Sequence, residues 1–118
     1  MNNDFLIGSW RLKDFKVLDE HGLEKKWQDE IKGLLIYTKD GYMSASINGN
    51  IQNEFYTGKY KVIENTVAHY VELASDHEKI NNKLERHITK ISSNEIQLTA
   101  RSFCPGSVSK VFWEKIID

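Results

Sequence analysis

The run from Lys32 to Ile47, KGLLIYTKDGYMSASI, limits what this chain can fold into more than any other stretch. Two alternating apolar segments flank Lys39-Asp40-Gly41. Asp-Gly in that setting is a strong hairpin signal, because a tight turn needs φ > 0 where these residues tolerate it. A tight turn predicts that Leu34 and Ile36 share a face with Met43, Ala45 and Ile47. It leaves Tyr37, Tyr42, Ser44 and Ser46 on the other face. A hairpin with one apolar face does not stand alone in water, so more sheet has to close over it.

The rest of the chain supplies that sheet. Proline occurs once, and turn signals recur every eight to twelve residues, the spacing of an all-β sandwich or barrel. Strands are predicted at Ser9 to Leu18, in the opening hairpin, and at Tyr56 to Ile63, Thr66 to Ala74, Leu84 to Ile91, Glu95 to Ser102 and Ser107 to Ile116. Short links favour antiparallel pairing of neighbours. The fold class expected is therefore all-β, an antiparallel up-and-down eight-stranded barrel, which removes sheet edges by closing. Within the first strand the apolar phase slips between Leu12 and Phe15, which predicts a bulge near Lys13-Asp14. Leu23 to Ile31, LEKKWQDEI, reads as a short helix or as a flap carrying Trp27 onto the barrel. A helical turn is expected at Asn3 to Ile7, capped by Asn2 or Asn3.

At 118 residues the chain suits one domain, residues 1–118. Its 16 basic and 17 acidic residues are interspersed and the net charge is −1. Without a basic stripe, nucleic acid is not an expected partner. No apolar run reaches ~18 residues and the first ten lack a signal-peptide pattern, so no membrane partner is expected either. Cys104 is the only cysteine, which rules out an internal disulfide, fits a reducing compartment and suggests a cytoplasmic location. It reads as a small turn residue before Pro105-Gly106 rather than a reactive thiol. Outward-facing Tyr37 and Tyr42 tip the expectation towards a homodimer.

Three polar residues fall on apolar strand faces. Tyr60 alternates with Gly58 and Val62, His69 with Val67, Val71 and Leu73, and Arg86 with Leu84 and Ile88. A tight turn at Glu64-Asn65 sets Tyr60 opposite His69, and a loop centred near Glu78 sets His69 opposite Arg86. Cross-strand neighbours are ~5 Å apart at Cβ, so the three form one inward row. A buried arginine stays charged and needs an anion or several acceptors. Two readings follow. Arg86 binds a ligand carboxylate, enolate or phenolate, with His69 as acid or base and Tyr60 as donor; or the row is a hydrogen-bonded plug in a packed barrel. In the first reading Ile36, Met43, Val62, Val71 and Leu98 form the apolar wall, and desolvation beside Arg86 keeps His69 neutral. The histidines His21, His69, His77 and His87 show no metal-ligand spacing, and no phosphate loop or nucleophile elbow is present, so neither metal nor cofactor is expected.

Four ordered segments resemble the bacterial and fungal lipocalin-like domain family, a branch of the calycin-type barrels. They are Gly8-Ser9-Trp10-Arg11-Leu12, the run Gly33 to Ser46, Tyr56-Thr57-Gly58-Lys59-Tyr60, and Val67-Ala68-His69-Tyr70-Val71; Trp113 matches a tryptophan near the family's end. The chain departs from the family in a shorter Asn48 to Tyr56 connection and in the loop Ser75 to Asn82. The resemblance implies a barrel with a small-molecule cavity. It also implies a floor closed by Trp10 beneath a cation, for which Lys115 is the candidate. The function expected is binding of a small, mostly apolar ligand with an acidic or carbonyl group. The alternative is a cofactor-independent cyclase, isomerase or dehydratase using His69, Arg86 and Tyr60.

Overall fold

A computed structural model describes residues 4–101 and 106–117. Asn2, Asn3 and Cys104 lie outside the described residues. Among the described residues nine strands follow in order: β1 (Gly8–Leu18), β2 (Glu24–Lys26), β3 (Lys32–Tyr37), β4 (Tyr42–Asn48), β5 (Asn53–Ile63), β6 (Thr66–Ala74), β7 (Lys83–Ser92), β8 (Glu95–Arg101) and β9 (Val108–Lys115). All pairings are antiparallel, and β1 pairs with β9 to close the sheet. Eight strands make the closed barrel. The ninth, β2, is short and shares one edge of β1 with β3: β3 takes Gly8 to Arg11, and β2 takes Lys16 to Leu18. Among the described residues, no helix is long and apolar enough to cross a membrane.

The expected bulge is present. The β1–β9 register shifts between Leu12 and Asp14. It lets Trp10 and Leu12 point inward at one end of β1, and Phe15 and Val17 inward at the other.

The opening hairpin forms, but its turn is longer than expected. Tyr37 pairs with Met43 and Leu35 with Ala45, which leaves Lys39, Asp40 and Gly41 in the loop. Thr38 N donates to Tyr42 O at 2.8 Å, and Gly41 takes φ 95°. This is the three-residue loop whose last position needs left-handed backbone, and glycine supplies it. One extra loop residue exchanges the faces of a whole strand. Leu35 and Tyr37 therefore point into the barrel, while Leu34 and Ile36 point out. Tyr37 is 1% exposed and Tyr42 43%, so the two do not form the outward pair expected from the sequence.

The turn at Glu64-Asn65 is tight, and Tyr60 pairs with His69 as expected. A bulge between Thr57 and Gly58 then shifts the β5–β6 register, which turns Leu73 outward and Ala74 inward. The strands approach so closely here that a Cβ on Gly58 would sit 1.8 Å from the Tyr70 carbonyl oxygen, so only glycine fits.

The segment from Leu23 to Ile31 is the flap, not a helix. Trp27 stacks on Phe15 with ring centroids 4.7 Å apart. Beside it, the buried Gln28 accepts from Ile51 N and Gln52 N at 2.8 Å and donates to Gln52 O at 3.0 Å. It ties the flap to the β4–β5 loop.

The opposite end is closed as the family resemblance implies. A helical turn, Asp4–Leu6, crosses the opening. Trp10, 1% exposed, donates from Nε1 to Leu6 O at 2.9 Å. Lys115 Nζ stands 5.3 Å from the Trp10 ring and donates to Phe5 O at 3.1 Å. The cation is thus held by a π face and a carbonyl together.

Candidate ligand-binding cavity

The barrel is packed at the Trp10 end and hollow at the flap end. Tyr37, Met43, Val67 and Ile96 fill the lower half. Above them is a cavity of about 390 Å³. Its wall is mainly apolar: Phe15, Val17, Trp27, Leu35, Ala45, Ile47, Leu84, Leu98, Ala100, Val111 and Trp113. Its polar members are Glu54, Tyr56, His69, Lys79, Arg86 and Ser109.

The sequence-derived site residues divide between the halves. His69, Arg86 and Leu98 line the cavity. Met43 and Val71 are inward and buried in the core but do not line the cavity, and Val62 packs against the same core. Ile36 is on the outer face because of the loop at residues 39–41. Tyr60 does not reach the cavity. Its hydroxyl donates to Thr38 O at 2.7 Å, and its ring meets Tyr37 edge-on at 4.7 Å. Arg86 pairs with Val67 rather than His69, which instead faces Leu84. The shift is an even step, so Arg86 keeps its inward face.

His69 sits on the boundary between the halves, 1% exposed. Its Nε2 is 2.7 Å from the Tyr37 hydroxyl and its Nδ1 is 2.7 Å from the Tyr56 hydroxyl. Burial, and then the Arg86 charge, push its pKa down to about 3, so the ring is neutral near pH 7. With both nitrogens occupied, His69 presents no lone pair or proton of its own to a ligand. Tyr37 is raised well above the ordinary tyrosine value by burial and by the neighbouring Tyr56. Burial raises Tyr56 as well, opposed by the charge and hydrogen-bonding reach of Arg86. Both tyrosines are therefore protonated.

Arg86 makes no ion pair among the described residues. Its Nη1 donates to Glu85 O at 3.1 Å, and the guanidinium leans towards Tyr56. Most of its five N–H donors remain for the cavity. Towards the flap, Glu54 and Lys79 form a salt bridge with each other. Burial lowers the Lys79 pKa, and the Arg86 charge lowers it further. That carboxylate and that ammonium offset one another, which leaves Arg86 as the dominant charge felt inside.

Neither tyrosine that bonds to His69 was among the expected site residues. Tyr56 shares its parity with Gly58 and Tyr60 and lies in the Tyr-x-Gly-x-Tyr run, so alternation alone would have placed it inward. Tyr37 was hidden by the loop length. Among the described residues, no group of three His, Cys, Asp or Glu side chains is arranged to hold a metal.

No protein-family description and no curated protein matches the chain. Solved structures do. An uncharacterized protein from Bacteroides eggerthii aligns with TM-score 0.58 and 14% identity, over 94% of this chain and 99% of its own. A redesigned β-barrel aligns with TM-score 0.55 and 14% identity, over 97% and 94%. A de novo designed fluorescence-activating β-barrel aligns with TM-score 0.54 and 13% identity, over 98% and 100%. At these identities the likeness is one of fold: an eight-stranded antiparallel barrel.

Proposed function

We propose that this chain is a lipocalin-like binding barrel that holds a small, mostly apolar molecule by an acidic or carbonyl oxygen set against Arg86. One observation carries the reading: a cationic side chain with no carboxylate partner among the described residues lines a mainly apolar cavity of about 390 Å³. An unpaired guanidinium in a desolvated wall is costly, and an anionic ligand offsets that cost. Pockets of this size with few convergent polar groups are typical of small-molecule sites. That a barrel of the same fold is fluorescence-activating by design is in keeping with the reading. The plug reading loses ground because the interior around Arg86 is open. The catalytic reading through His69 loses ground because both ring nitrogens are bonded to tyrosines.

The test pairs native mass spectrometry of the purified protein with titration of the anionic dye 1-anilinonaphthalene-8-sulfonate. Wild type is expected to carry a co-purified molecule or to bind the dye at one site. Arg86→Met is expected to stay folded with an equal or higher Tm. It should lose about 1.5–3 kcal/mol of dye affinity, the value of a hydrogen bond to a charged group. An unfolded Arg86→Met protein, with no molecule ever bound by wild type, would support the plug.

A further inference from the structure

The Tyr37–His69–Tyr56 chain has a direction that its hydrogen-bond partners determine. The Tyr37 hydroxyl is fully buried, and its only polar partner among the described residues is His69 Nε2 at 2.7 Å. The nearby Tyr60 hydroxyl donates to Thr38 O, and among the described residues no hydrogen bond joins it to Tyr37. A buried hydroxyl proton has to find an acceptor, so Tyr37 O–H donates to Nε2. An imidazolium would donate from both nitrogens and strand that proton, so the ring is neutral on geometric grounds too. Its single proton is then on Nδ1, and it donates to the Tyr56 oxygen at 2.7 Å. Tyr56 already accepts there, and its other polar neighbour, Arg86, can only donate. The Tyr56 proton has no protein acceptor among the described residues, and the cavity that Tyr56 lines is open to it. The reverse direction would leave a proton unpaired at Tyr37, in the packed half where neither water nor ligand can reach it.

We infer that His69 is a positioning residue fixed as the Nδ1–H tautomer, and that the chain aims the Tyr56 hydroxyl proton into the cavity beside the Arg86 guanidinium, forming a two-donor anchor for a ligand carboxylate. The inference deepens the binding reading above and rests on it for the ligand. A carboxylate fits because it offers two acceptor oxygens in one plane, one for Tyr56 O–H and one for Arg86 N–H. The apolar wall selects an aromatic or aliphatic body behind that group. Ligands whose polar end only donates are excluded, because both anchor groups donate.

Two measurements test this. Nitrogen-15 NMR of the histidine rings reads the tautomer directly in the wild-type protein. His69 is expected to show a protonated Nδ1 and an unprotonated Nε2 between about pH 6 and 8. The second measurement compares 2-naphthoate, 2-acetylnaphthalene and 2-methylnaphthalene as probes. Naphthoate is expected to bind at least about tenfold more tightly than the ketone. Tyr56→Phe is expected to weaken naphthoate about tenfold and the hydrocarbon hardly at all, as for loss of one charge-assisted hydrogen bond. An Nε2–H tautomer, or naphthoate affinity unchanged in Tyr56→Phe, would overturn the inference and leave the binding reading standing. Failure of all three probes to bind would overturn the anchor and the binding reading together.

Discussion

The two ends of this barrel are built from the same strands yet do opposite things. At the Trp10 end the inward side chains are large and fill the cylinder: Trp10, Tyr37, Met43 and Ile96 are each 2% exposed or less. At the flap end several inward positions carry small residues, Ala45, Ala100 and Ser109, and the cylinder is left open behind Trp27. A barrel of eight strands is only wide enough for a packed core or one small ligand. This one divides the choice along its axis, with His69 on the dividing plane. Close packing is concentrated below that plane and open volume above it.

The largest effect expected from this division is at the floor. Trp10→Ala removes a buried aromatic, its hydrogen bond to Leu6 and the ring under Lys115. Chemical denaturation should show a loss of ~3–5 kcal/mol. An unchanged midpoint would mean that the lower half is not the stabilising half.

A matched pair of enlargements sharpens the contrast. Val67 is fully buried in the packed half, whereas Ala100 borders the cavity. Val67→Leu should cost about 1–3 kcal/mol through overpacking. Ala100→Leu should change stability by less than about 0.5 kcal/mol and weaken dye binding instead. Equal costs at the two positions would erase the distinction between the halves.

The smallest effect per step is at the dividing plane itself. His69 is held neutral with its pKa near 3 in the fold, against an ordinary value of 6.5 when unfolded. Below pH 6.5 the unfolded chain takes up a proton that the folded chain refuses. Stability should therefore be at its plateau above pH 6.5 and fall as the pH drops towards 3, by at most about 1.4 kcal/mol per pH unit. Urea unfolding at pH 6.5 and pH 5 reads this before most carboxylates titrate. The other three histidines are exposed. A flat profile across that interval would show that His69 is not sealed from water.

Much of the barrel was legible in the sequence because strand period and turn residues are local. The bulge near Asp14, the Tyr60–His69 pairing and the Trp10–Lys115 floor all follow from spacing or resemblance and stand in the structure. The candidate site was legible only in part. Parity says whether a side chain points inward, but not how far along the axis it lies. Met43 and Val62 were therefore assigned to a cavity wall when they pack in the core below it, and Val71 when it packs in the core without lining it. Ile36 failed for a different reason. One extra residue in the loop at Lys39 to Gly41 reversed its strand and brought Tyr37 to His69 in its place. Loop length is a single integer, and Asp-Gly is compatible with more than one value of it.

The seam between β1 and β9 carries a consequence for time rather than stability. The other contacts around the cylinder join strands that follow one another along the chain, with only β2 passed over between β1 and β3. The seam alone joins the two ends, bringing Trp10 to Lys115 and Leu18 to Val108. Joining segments so far apart has to overcome loop-closure entropy before any contact rewards it, and topologies rich in such contacts fold in milliseconds to seconds rather than microseconds. A meander of hairpins can assemble early, strand by strand, with both of its outer edges still unpaired. Until the seam closes, that half-made sheet exposes free backbone donors and acceptors, and each molecule is a template for its neighbours. The hazard for this chain is thus greatest during synthesis and refolding, and it ends when β9 reaches β1.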